Sequence, residues 1–207
     1  PFGMVSMESG ALSTRKGNVI FLEDILNEAI QRIKAIIEDK NPNLENKDVV
    51  ARQVGVGAVI FDDMYNNIIK DIQFSWERVL NPYGETGPYV QYAHARACSV
   101  LRKSNADATF YEDIDYTKIT DEYSIALTKE LARFKEVIQL AADKYEPSFV
   151  ARYAVHVAQA FNNFYNNNTI LTEDTSLRNA RLALVLAVTY TLKNSLYLLG
   201  IEAPEEM

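Results

Sequence analysis

The chain has 207 residues, of which 48% are apolar and 24% charged, a globular composition long enough to bury a core without covalent staples. A single cysteine, Cys98, excludes a disulfide scaffold, and one cysteine with two histidines (His94 and His156) falls short of a zinc ligand set, so no metal site is expected. The net charge of −7 argues on its face against a polyanionic partner, no apolar run is long enough to span a bilayer, and no basic-then-apolar leader is present; the expected location is cytoplasmic.

The chain opens at Pro1 without an initiator methionine and reads as a piece of something larger. Two β-like runs, Gly3 to Met7 and Asn18 to Phe21, flank a glycine-punctuated turn. With no sheet neighbours of their own, Pro1 to Phe21 are expected to be disordered or to pair with a second copy. Helical periodicity then takes over: Leu22, Ile25, Leu26, Ala29, Ile30, Ile33, Ile36 and Ile37 recur at i, i+3, i+4, and Asn41-Pro42 stops the helix. A second helix is expected from Asn46 to about Ile69. Its Gly55 and Gly57 suggest the close approach of another backbone. Asn81 to Pro88 is the clearest loop. Pro88 suits the first turn of a helix running to about Lys103, and a polar, tyrosine-rich linker follows to Lys118. Thr120 and Asp121 cap a helix to about Lys144, Pro147 opens another to about Tyr165, and Asp174 to Ser176 cap a last one that ends at Leu199 before Gly200. The expected fold class is all-α, with six long helices and almost no strand.

The acids are unevenly spread. Thr86 to Ala106, Pro147 to Thr172 and Thr175 to Ile201 contain no Asp or Glu but carry Arg96, Arg102, Lys103, Arg152, Arg178, Arg181 and Lys193. A carboxylate-free face is what a phosphate-bearing partner requires; core helices also lack acids for the plainer reason of burial. Three local constellations stand out. Leu12-Ser-Thr-Arg-Lys-Gly-Asn18 gathers hydroxyls, cations and a glycine in one turn, as a polyphosphate-wrapping loop does, without the spacing of a Walker loop. Tyr89, Tyr92 and Arg96 share a helix face, with Gln91 and His94 to its sides, suited either to stacking on splayed bases or to half-burial in a bundle. Phe161 to Asn168 places aromatics and amides at a helix end, where asparagine is also a natural stop. His156, set in Ala154-Val-His-Val-Ala158, reads as a core histidine, and Phe74 and Trp76 as core aromatics.

These motifs together resemble the C-terminal part of arginyl-tRNA synthetases, class I aminoacyl-tRNA synthetases. Phe2-Gly-Met-Val and Leu12 to Asn18 resemble the family's signature-loop region. Gly84-Glu-Thr-Gly-Pro-Tyr-Val-Gln-Tyr-Ala-His-Ala-Arg96 resembles the entry to its helical, DALR-type anticodon-binding domain, and Leu199 to Met207 resembles its C-terminus. The likeness runs over the whole chain. It implies residues 1–80 as the end of a catalytic domain with stem contacts, a short β/loop remnant leading into helices, and residues 84–207 as the anticodon-binding bundle. The class I signature aligns with Ala11 to Arg15, with both of its lysines absent. Ser13, Thr14, Arg15 and Lys16 are then the implied groups at the ATP phosphates, and Met4 and Val5 lie near adenine. Tyr89, Tyr92, Arg96, Tyr165 and Met207 are the implied tRNA contacts. The resemblance further implies arginine–tRNA ligase activity on tRNA(Arg), arginine and ATP with Mg2+, a monomeric parent, and, because the His-Ile-Gly-His half is missing, no arginine activation by this chain alone. A stand-alone helical RNA-binding module and a helical protein-interaction module remain the alternatives.

Overall fold

A computed structural model of the chain describes residues 3–7, 10–11, 19–104 and 114–207. Among these, helix dominates. The elements are β1 (Val5–Met7), β2 (Gly10–Ala11), α1 (Leu22–Lys40), α2 (Lys47–Tyr65), β3 (Ile72–Phe74), α3 (Trp76–Val79), α4 (Gly87–Ser104), a 3-10 turn (Tyr116–Lys118), α5 (Glu122–Ala132), α6 (Phe134–Lys144), α7 (Ser148–Asn167) and α8 (Thr175–Leu198). No described helix is long and apolar enough to cross a membrane. The signature-loop positions Ser13, Thr14, Arg15 and Lys16 lie outside the described residues.

The first strand is not an orphan and needs no second copy. β1 lies centrally in a three-stranded sheet of order β2-β1-β3, antiparallel to β2 and parallel to β3 with Val5 opposite Ile72 and Met7 opposite Phe74. The amide of Met4 donates to Asp71 Oδ1 at 2.7 Å, and that of Ile72 donates to the Met4 carbonyl at 2.8 Å. The partner that sequence reading lacked is therefore β3, a strand of three residues, too short to show a period of two. The second β-like run is not a strand where it is described: Val19 to Phe21 have no regular structure.

α1 and α2 form an antiparallel pair. The periodic apolar stripe of α1 buries Ala29, Ile33 and Ile37 against Val50, Ala51 and Val54 of α2. Gly55 permits this contact, because a Cβ there would stand 2.8 Å from the Ile30 backbone nitrogen. Gly57 faces side chains instead: a Cβ would meet Gln91 Nε2 at 2.7 Å and Ile201 Cγ2 at 2.9 Å. α2 stops at Tyr65, four residues short of the expected Ile69. The Asn66 side-chain amide donates to the Asp62 carbonyl at 2.7 Å and Asn67 Oδ1 accepts from the Ile69 amide, so the asparagine pair closes the helix and turns the chain into β3.

The larger core joins α4, α5, α6, α7 and α8 around Phe161, Phe164, Leu182, Leu192 and Leu196, all with 0% exposure. Asp121 caps α5, accepting from the Ser124 amide at 2.9 Å, and Asp174 caps α8, accepting from the Leu177 amide at 3.1 Å. Gly200 follows α8 with φ of 74°, the left-handed stop expected there.

The helix expected from Asp121 to Lys144 is broken at Arg133. The hydroxyl of Tyr153, on α7, donates to the carbonyl of Glu130 at 2.9 Å and reaches that of Leu131 at 3.4 Å. Those carbonyls would otherwise accept from residues 134 and 135. The ladder opens there, Arg133 bonds back to Glu130 at 3.1 Å, and α6 restarts at Phe134.

His156 corrects a second expectation: it is exposed, not core. It belongs to an outward stripe on α7 with Arg152, Gln159 and Asn163, each also exposed, while Val155 and Val157 beside it face inward.

Candidate nucleic-acid interface

A cleft of about 610 Å³ lies between α4, the C-terminal end of α7, the loop that follows it, and the last residues of the chain. Tyr92, Arg96, Tyr165 and Met207, drawn from three distant parts of the sequence, all line it. α4 supplies Tyr92 and Arg96 from one helix face; α7 supplies Tyr165 from its final turn.

Arg96 is the centre of the arrangement. Its guanidinium carbon stands 4.7 Å from the Tyr92 ring centroid and 5.1 Å from that of Tyr165, so the cation is held between two aromatic faces. Arg96 Nη1 donates to Asn162 Oδ1 at 2.6 Å, and Asn162 Nδ2 donates to the Tyr89 hydroxyl at 3.0 Å. Tyr89 is therefore not in the cleft lining. It is packed against the core and braces Asn162, which in turn orients Arg96. Both tyrosines of the cleft remain accessible, Tyr92 at 42% and Tyr165 at 39% exposure. Such a site presents aromatic faces for bases and a planar cation for phosphate or a base edge.

Asn162 was legible only as part of an amide-rich helix end; its place three residues before Tyr165, one turn away, was the available clue. Other lining residues carried no local sign. Asn41 and Leu44 come from the chain between α1 and α2, and Asn41 Nδ2 donates to the Met207 carbonyl at 3.2 Å. The floor includes Ile170 and Leu171 of the α7–α8 loop, which Arg181 holds through Asn168 Oδ1 at 2.6 Å and the Thr169 carbonyl at 3.0 Å. Asp121 completes that brace, 3.7 Å from Arg181. Burial pushes the Asp121 carboxyl upward, but the Ser124 hydroxyl and amide, Asn168 and Arg181 together outweigh it and hold the group below its ordinary value.

The acid-free stretches do not form one continuous face. Arg96, Arg102 and Lys103 line the cleft; Arg181 sits behind its loop, and Arg152 lies against the Tyr65 ring at 5.7 Å on α2. One acid, Glu206, also reaches the cleft and pairs with Arg102 at 3.2 Å. Met4 and Val5 are exposed on and beside β1, at 68% and 44%.

His94 and Gln91 are not at the sides of the Tyr92 face but on the opposite, buried side of α4, at 1% and 0% exposure. Burial pushes the His94 imidazole below its ordinary value, the Pro204 carbonyl opposes this, Lys193 adds to it and Glu205 opposes it. The folded chain thus prefers neutral His94, while the unfolded chain takes up a proton near pH 6.5. The stability so contributed is complete above that pH and declines as pH falls from it toward the depressed folded value, by at most about 1.4 kcal/mol per pH unit. Thermal unfolding followed by circular dichroism between pH 7.5 and 5.5 should show this fall in the wild type and a flatter profile in His94→Asn.

Comparison with known proteins agrees with this architecture. Residues 90–207 match the family model described as DALR anticodon binding domain, and residues 1–76 match that of the class I (R) tRNA synthetase catalytic domain. The chain is 55% identical over 206 residues to an arginine–tRNA ligase of Clostridioides difficile, with all of this chain but 36% of that relative covered. It is 53% identical over 207 residues to the Halothermothrix orenii enzyme of the same name, again covering 100% of this chain and 36% of the other. The arginyl-tRNA synthetase of Thermus thermophilus superposes over 100% of this chain and 35% of its own, with a TM-score of 0.91 at 35% identity. That of Plasmodium falciparum does so over 100% and 34%, with a TM-score of 0.80 at 25% identity. The chain therefore spans little more than a third of the relatives it matches. The helical bundle, the cleft at its edge and these likenesses lead to one assignment: the chain belongs to the DALR anticodon-binding family and matches the C-terminal part of arginyl-tRNA synthetases.

Proposed function

We propose that this chain is the tRNA-reading portion of an arginine–tRNA ligase, and that the cleft holds the unstacked anticodon loop of tRNA(Arg). The observation that carries this reading is Arg96 held between Tyr92 and Tyr165 in an accessible cleft, with Asn162 orienting it and Met207 on the rim. The tyrosines stack on splayed bases, Arg96 pairs with phosphate or a base edge, and Arg102 and Lys103 add positive potential where the backbone passes. Residues 84–207 form the anticodon-binding unit and residues 1–80 the end of a catalytic domain with stem contacts. Asn41 and Leu44 from that first part share the wall of the cleft, which links the two.

The activity belongs to the larger enzyme. There Ser13, Thr14, Arg15 and Lys16 would meet the phosphates of ATP, which arrives as its Mg2+ complex, and Met4 and Val5 would flank adenine. This chain alone is not expected to activate arginine, because a class I site needs both halves to hold ATP in line for attack. The reading places the enzyme in the cytoplasm, acting as a monomer.

The test is fluorescence titration of the chain with an arginine-tRNA anticodon stem-loop at two salt concentrations, beside a loop altered at the middle anticodon base. With two to three cations engaged, log K against log salt should have a slope of roughly −1.5 to −2. The altered loop should bind more weakly by about 1–3 kcal/mol, the loss from one mismatched contact. Equal binding of both loops, or none, would count against the anticodon assignment.

A further inference from the structure

The eight residues after Leu199 form no helix or strand, yet they lie firmly against the bundle. Their carbonyls are taken up one after another by side chains. Gln91 Nε2 donates to the Glu202 carbonyl at 2.8 Å and to the Gln53 carbonyl of α2 at 3.1 Å. His94 Nδ1 lies 2.9 Å from the Pro204 carbonyl. A carbonyl only accepts, so Nδ1 carries the proton. Nε2 of the neutral ring is then an acceptor, facing Cys98 Sγ at 3.7 Å. Further along, Arg102 Nη1 donates to the Glu205 carbonyl at 3.1 Å and Asn41 Nδ2 to the Met207 carbonyl.

These links differ in kind. Side-chain contacts of the tail, Arg102 with Glu206, Lys193 with Glu205 and Gln53 with Glu202, lie at the surface, where water competes and each contributes little. Gln91 and His94 are fully buried, and Ile201 and Pro204 of the tail are buried beside them; loss of His94 leaves the Pro204 carbonyl unpaired out of reach of water, and loss of Gln91 takes the side-chain donor from the part-buried Glu202 and Gln53 carbonyls. Neither residue lines the cleft. The tail they bond to ends in Met207 on the cleft rim.

We propose that Gln91 and His94 are positioning residues: a buried two-point clasp that pins the C-terminal tail across α4 and α2, sets Met207 in the cleft, and thereby sets discrimination among anticodon loops. The proposal rests on the reading of the cleft as the RNA site, and its test separates the two.

The chain has four methionines, Met4, Met7, Met64 and Met207, so 13C-methyl methionine labelling gives a small set of NMR signals in which Met207 is assigned by Met207→Leu. In His94→Ala the Met207 methyl signal should move to the position of a free, solvated methionine, and the preference for the cognate over the altered loop should fall about tenfold. His94→Asn, whose amide nitrogen can occupy the place of Nδ1, should keep both near wild type. In a Met207→Ala background, His94→Ala should cost no further discrimination, because the two act through one device. Gln91→Leu, similar in volume, is the second variant should His94→Ala unfold, and should displace the same signal. An unmoved Met207 signal in a folded clasp variant, or losses that add in full, would overturn the clasp. A wild-type chain that binds neither loop would instead overturn the RNA reading and the discrimination clause, while the methyl signal still decides whether Gln91 and His94 hold the tail.

Discussion

Arg96→Ala should weaken binding of the anticodon stem-loop by about 2 kcal/mol, roughly 30-fold, with little loss of stability. The guanidinium stands between the rings of Tyr92 and Tyr165, and only Nη1 is spent on a neighbour, Asn162. Its other N–H groups have no protein partner among the described residues. They are oriented by the ring sandwich and by Asn162 without being consumed by it. Alanine removes the charge, the planar donor fork and the spacer that holds the two rings apart. Lysine restores the charge alone, so Arg96→Lys should recover part of the salt-dependent affinity and little of the preference for the cognate loop. Because Arg96 is only half-buried and pairs with no carboxylate among the described residues, its loss should lower the unfolding temperature by no more than about 3 °C. Binding that is unchanged in Arg96→Ala would show that RNA does not use this cleft.

Phe161→Ala should have the largest effect on stability, about 3–5 kcal/mol. Phe161 has 0% exposure in the cluster where α4, α7 and α8 meet, and Phe61 of α2 belongs to the same cluster. Deleting the ring leaves a cavity that four helices cannot all close at once. For a chain of this length that corresponds to a fall of about 10 °C or more in unfolding temperature. The urea midpoint should drop with an unchanged slope if the denatured state is unaffected. A second consequence follows from position: the Phe161 and Tyr165 rings are 6.1 Å apart, one helical turn along α7. Without its neighbour Tyr165 loses a wall, and RNA affinity should fall even at temperatures where the variant is folded. Phe161→Leu fills most of the volume and should restore most of both.

The helices α1, α4, α7 and α8 were legible because each carries its own apolar stripe and its own start or stop signal: Asn41-Pro42 for α1, Pro88 for α4, Pro147 for α7, and Asp174 with Gly200 for α8 act within one turn of themselves. The break at Arg133 was not legible, since its cause is the hydroxyl of Tyr153, on a helix that follows it in the chain. β3 was missed because three residues carry no period, and each of them pairs with a β1 residue 67 positions away. His156 misled because its immediate neighbours are valines; the exposed stripe it shares with Arg152, Gln159 and Asn163 is visible only at a spacing of three to four. In the same way Gln91 and His94, adjacent to the Tyr92 face in sequence, fall on the buried side of α4.

By itself the sequence determined the helical class, the positions of most helices, the segregation of acids and the family likeness, because each of these is written in contacts among near neighbours along the chain. The tertiary structure alone decided the cleft. It brings Tyr92, Tyr165 and Met207 together, and it sets Asn41 beside Met207 across 166 residues. It also made a clasp of Gln91 and His94. Such meetings depend on how buried faces pack against one another, and no local period or motif encodes which distant backbone carbonyl a buried donor will find.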